Sequence, residues 1–83
     1  MKIHGYSNQG LPTEEIQPSE LAEITVVACP SELRLIAAFL LSAADNMEHM
    51  GSSYSHEHLS DKQPGFDSSP QFVVFNSAVS GEG

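Results

Sequence analysis

At 83 residues the chain is long enough for one domain and too short for two, since neither half could bury a useful core. Hydrophobic residues make up 40% of it and charged residues 17%, a balance that excludes full disorder. Eleven Asp and Glu against three Lys and Arg give a net charge of −8, which disfavours nucleic acid and anionic membrane surfaces and either attracts a basic protein partner or only keeps a small protein soluble.

Cys29 is the one cysteine, so no intramolecular disulfide can form, and a domain this small without such staples fits a reducing compartment. Residues 1–6 lack the apolar stretch of a signal peptide, and the longest apolar run, residues 35–41, is too short to cross a bilayer. A cytoplasmic protein is the expectation.

Residues 1–6 alternate like a short strand, with Met1, Ile3 and Gly5 on one side and Lys2, His4 and Tyr6 on the other. Residues 7–20 are rich in Ser, Asn, Gln, Gly and Pro, and they read as a long loop broken by Pro12 and Pro18. Residues 21–28 read as a second, central strand, because Ile24, Thr25, Val26 and Val27 are β-branched and apolar on both faces.

Pro30 suits the first position of a helix, with Glu32 near the positive end of its dipole; Ser31 is an alternative cap. Leu33, Ile36, Ala37, Leu40, Ala43, Ala44 and Met47 recur at helical spacing and predict the buried stripe. Arg34, Ser42, Asp45 and His49 fall opposite, Phe39 and Leu41 flank the stripe, and Leu35 points away from it. Gly51 is the natural stop. Residues 54–59 predict a third strand, residues 61–70 a turn-rich connection, and residues 71–76 a fourth strand.

The expected fold is α+β: one helix packed on a small four-stranded, mostly antiparallel sheet in the order ββαββ. Residues 1–76 form the domain and residues 77–83 a flexible tail. One helix covers one face of such a sheet. In the last strand Phe72 and Val74 alternate with Val73 and Phe75, so the second face is apolar too. A homodimer across that face, a bound partner, or the long loop screening Phe72 and Val74 would each cover it.

The most specific local motif is Ser55-His56-Glu57-His58-Leu59-Ser60-Asp61. On an extended strand His56 and His58 share a face. They form a candidate metal pair, with Asp61 or His4 as a further ligand, or else polar groups presented to a partner. Ser, His and Asp adjacent on a strand do not make a catalytic triad, and Gly10, Gly51 and Gly65 are too isolated for a phosphate-binding loop. No enzyme activity and no cofactor is expected.

The run Glu32-Leu33-Arg34-x-Ile36-Ala37-x-Phe39-Leu40, then Ala44 and Met47, then His56-Glu57-His58-Leu59-x-Asp61 and Phe72-Val73-Val74-Phe75-Asn76 resembles the small proteins of immunity protein family 32. The resemblance covers about residues 21–76; the long loop before them has no counterpart in it. It implies a bacterial protein that binds a cognate toxin domain and blocks it. Many such toxins are basic nucleases, whose nucleic-acid substrate an acidic surface would mimic. The partner-contact candidates are Tyr54, His56, His58 and Asp61, with Glu14 and Glu15 from the loop. Two other readings stay open: a metal-binding domain or small metalloenzyme built on His56 and His58, and a homodimeric structural subunit.

Overall fold

The computed structural model of the chain describes residues 1–7 and 17–80. Along the chain come β1 (His4–Gly5), β2 (Ser19–Glu20), α1 (Pro30–Met50), a 3-10 turn at Gly51–Ser53, β3 (His56–His58), α2 (Leu59–Lys62), β4 (Val73–Phe75) and α3 (Ser77–Ser80). The α+β class holds, but among the described residues there is no single four-stranded sheet. The strands form two separate antiparallel pairs, β1 with β2 and β3 with β4.

Residues 21–28 correct the expected central strand: the strand is Ser19–Glu20, opposite His4 and Gly5, and the Leu21 N–H adds a hydrogen bond to the Ile3 carbonyl at 2.7 Å. The β-branched residues belong to no helix or strand, and Ile24, Val26 and Val27 are all exposed. A cavity of about 240 Å³ lies between residues 25–28 and Ile36, Phe66 and Phe72. Strand propensity is realised only when the run pairs with a partner edge, and among the described residues no strand pairs with residues 24–27.

The 21-residue helix α1 begins and ends where its chemistry dictates. Pro30 occupies its start, and the Cys29 backbone N–H donates to Glu32 Oε1 at 2.8 Å, the reciprocal half of a capping box. Gly51 closes it with φ of 55°, and its N–H donates to the Met47 carbonyl. The buried stripe is rotated from the expected one. Phe39, expected at the flank, is 2% exposed, and Leu35, expected to point away, packs on the core beside Ile36. Leu33 and Leu40 are 47% and 40% exposed. Apolar residues surround this helix, so periodicity alone admits two stripes; the one carrying the larger Phe39 ring buries more area and wins.

The core is Phe39, Leu59 and Phe66, with Leu35, Ile36, Phe72 and Val74 packed against it. The Phe39 and Phe72 rings meet edge to face at 6.4 Å. Phe72 and Val74 therefore face the helix, whereas Val73 and Phe75, at 38% and 60% exposure, form the open face. The helix layer covers Phe72 and Val74; most of the long loop, one of the three alternative covers, lies outside the described residues.

Asn76 ties these pieces together. It is 6% exposed, and its amide nitrogen donates to the carbonyls of Gly51 and Tyr54, both at 3.0 Å. Its side-chain oxygen accepts from Ala78 N at 3.1 Å, opening α3.

Phe39→Ala should lower unfolding free energy by about 3–5 kcal/mol, whereas Leu40→Ala, on the exposed side of the same helix, should cost under about 1 kcal/mol. Urea titration of the two variants checks the helix face; equal losses would contradict it. Asn76→Ala should cost about 1–3 kcal/mol in the same assay, because two carbonyls lose their donor.

Candidate functional site

Period-two alternation aims the chemistry of β3 and β4 outward. The register sets His56 opposite Phe75, Glu57 opposite Val74 and His58 opposite Val73. Glu57 and Val74 consequently face the helix layer, while His56, His58, Val73 and Phe75 share the outer face. The His56 and Phe75 rings stack at 4.8 Å with 15° between their planes. The His56 and His58 rings meet at 5.5 Å, as expected for two histidines on one strand face. His58 Nδ1 shares a hydrogen bond with the Gln71 side-chain amide at 3.1 Å. His56 Nδ1 shares a hydrogen bond with Ser55 Oγ at 3.0 Å.

Beside this face runs an open groove of about 440 Å³ whose lining includes Tyr54, His56, Glu57, His58, Asp61 and Lys62. Glu57 is its electrostatic centre. Its carboxylate accepts from Asn46 Nδ2 at 3.2 Å and pairs with Lys62 Nζ at 3.1 Å, while its side chain is only 15% exposed. Burial alone would raise its pKa; the facing Tyr54 hydroxyl, Lys62 and Asn46 outweigh burial and hold it below its ordinary 4.5. Tyr54 moves the other way. Burial first, and the Glu57 carboxylate second, push its phenol up to about 12. The hydroxyl lies beside that carboxylate but short of hydrogen-bond geometry, and has no partner among the described residues.

The structure brings His56, His58 and Asp61 to one region, with His56 and Asp61 exposed and His58 half-buried. Tyr54 is there too, but 4% exposed: it supports the site from beneath. Glu14 and Glu15 lie outside the described residues. His4 sits in β1, whose strand partner is β2, so it is in the other sheet. Among the described residues no group of three or more His, Cys, Asp and Glu is placed to hold a metal. Sequence reasoning passed over Phe75 and Val73 as the partners of the histidines. Their alternation with Phe72 and Val74 was visible, but which pair faced the helix was not. It also missed the Asn46–Glu57–Lys62 cluster, whose members lie on three elements.

A protein-family model described as Immunity protein 32 matches residues 23–78, more than half of the chain. The comparisons with curated proteins and with solved structures each found no match.

Two opposite pH limbs follow from the groove. The depressed pKa of Glu57 adds stability that is present above its ordinary 4.5 and lost as pH falls through the folded value. The raised pKa of Tyr54 adds stability that is present below 10.0 and lost as pH rises through about 12. Urea midpoints measured against pH should show Glu57→Gln flattening the acid limb and Tyr54→Phe flattening the alkaline one. Wild-type slopes in both variants would contradict these assignments.

Proposed function

The chain belongs to the immunity protein 32 family, and from that premise we propose that it binds a cognate toxin domain directly and blocks it, with no catalysis of its own. The observation that carries the surface assignment is the outer face of β3 and β4, where Phe75 is 60% exposed under a stacked His56. An aromatic ring and two imidazoles offer contact area and hydrogen bonding at low rotamer cost, the composition that interface centres favour. Asp61 and the groove beside His56 border this face and supply a polar rim. Glu14 and Glu15 belong to the proposed contact set as further carboxylates for a basic partner. No helix among the described residues is long and apolar enough to cross a membrane, and a toxin met in the cytoplasm fits this reading.

The net charge of −8 favours a basic toxin domain, steered in by long-range attraction. A metal-centred reading lacks a third ligand among the described residues and is not favoured by the geometry.

Affinity capture with the tagged chain from lysate of its source organism, followed by mass spectrometry, tests the reading. Recovery of one stoichiometric partner carrying a toxin domain is the expected result. Recovery of none, from lysate in which that organism's toxins are detectable, would contradict it. With the partner in hand, replacing His56 and His58 together by Ala should raise Kd by about ten- to a hundredfold, a loss of about 1.4–2.8 kcal/mol. Unchanged affinity removes both histidines from the contact surface. Raising salt should slow association more than it speeds dissociation; a salt-independent on-rate would remove charge steering.

A further inference from the structure

We propose that residues 24–28 close as a strap on the outer edge of β4, antiparallel to it, and so build a three-stranded sheet with β4 in the middle.

The hydrogen-bond phase of the β3–β4 ladder decides which groups of β4 are available. Asn76 N donates to Ser55 O at 2.9 Å and Leu59 N donates to Phe72 O at 2.8 Å. Bonded pairs alternate with unbonded ones in an antiparallel ladder, so the N–H and C=O of Val73 and Phe75 point away from β3. Among the described residues neither makes a backbone hydrogen bond to another segment, and the backbone of residues 24–28 makes none either.

The fold already sets these two segments side by side. Residues 25–28 and residues 69–72, which lead directly into β4, line one cavity of about 240 Å³, together with Ile36 of α1 and Phe66 of the core. Only Cys29 separates the strap from Pro30, the first residue of α1. The strap therefore meets the edge as part of the same molecule, at the high effective concentration of a short tether. A second copy, at net charge −8, is instead repelled. Neither 24–28 nor 71–76 contains a charged residue, so the two segments approach without opposing carboxylates. Topology agrees. A strap antiparallel to β4 runs parallel to β3, and parallel strands need a long crossover, usually a helix; the 21 residues of α1 supply it.

The side chains select the register. Val73 and Phe75 must meet bonded partners, and Val27 opposite Val73 with Thr25 opposite Phe75 satisfies both. Val26 then meets Val74, which packs on the core, so Ile24, Val26 and Ala28 turn toward the helix layer. Ile24 and Val26, each 48% exposed in the open arrangement, are withdrawn from water, and Val27, 94% exposed, gains a cross-strand neighbour. A slip of one residue would return Ile24 and Val26 to solvent and turn Thr25 inward. Closure carries Thr25 and Val27 to the outer face beside Phe75 and Val73. The test involves no toxin, so its outcome is separate from that of the immunity reading.

NMR amide exchange of the full chain at two concentrations tests the pairing. Val73, Phe75, Thr25 and Val27 should be protected equally at both, with an α-proton contact between Val26 and Val74, an unbonded pair at this edge. Val27→Pro removes a donor that has no partner in the open arrangement, and it should speed exchange at Val73 and Phe75 by about tenfold or more. An independent arm uses Cys29→Ser chains. Val27→Cys with Val73→Cys should oxidise to an intramolecular disulfide, because bonded pairs bring Cα atoms to about 5.5 Å. Val26→Cys with Val73→Cys, on opposite faces, should not. Freely exchanging Val73 and Phe75 amides overturn the proposal. So does protection that grows with concentration or survives Val27→Pro, and so does failure of the Val27–Val73 pair to close or equal closure of both pairs.

Discussion

The Asn76 side chain donates to the carbonyls of Gly51 and Tyr54 and accepts from Ala78 N. With its backbone N–H bonded to Ser55, it fixes the end of β4 against the end of α1 and the entry to β3. A buried amide is tolerated only when its donors and acceptors are paired, and here both hydrogens and the oxygen are. The consequence reaches the surface. With β4 locked in this register, Phe72 and Val74 face Phe39 and Leu59, and Val73 and Phe75 face outward beside His56 and His58. A slip of one residue would exchange those faces.

The fold that results is thinly covered. Phe39, Ala43, Tyr54, Leu59 and Phe66 are its buried hydrophobic residues, while Leu33, Leu41, Val27 and Phe75 are exposed. A short chain cannot wrap a helix that is apolar all round and also close a sheet over it. The uncovered material is distributed unevenly. On α1 it forms a stripe through Leu33 and Leu40; on β3–β4 it is joined to imidazoles and a half-buried carboxylate. The second arrangement couples apolar area to directional groups, which is what separates a specific binding surface from residual exposure.

Much of this was legible in the sequence where a local rule decides the outcome. Pro30, Glu32 and Gly51 bound the helix because each acts on its own turn, and the alternation of residues 56–58 and 73–75 placed two strands. The family resemblance rested on the same segments. The helix face was not legible, because Leu33, Leu35, Phe39 and Leu40 support two stripes and only tertiary packing chooses. Nor was the fate of residues 21–28: their β-branched run expresses a preference for pairing, and whether an edge is in reach is a property of the whole chain. The expected four-stranded sheet failed for that reason. Within the site, the histidine pair could be read from spacing. The burial of Tyr54 and the Asn46–Glu57–Lys62 cluster could not, since each depends on how α1 lies across the sheet.

The proposed toxin-binding surface is the outer face of β3–β4. The most direct measurement is NMR of the side chains in complex with the captured toxin domain, following the imidazole signals of His56 and His58, the Phe75 ring, and the methyl groups of Val73, Leu33 and Leu40. The predicted result is large shifts at His56, His58, Phe75 and Val73, with Leu33 and Leu40 unchanged. Shifts confined to Leu33 and Leu40, with the histidine and Phe75 signals unmoved, would contradict it.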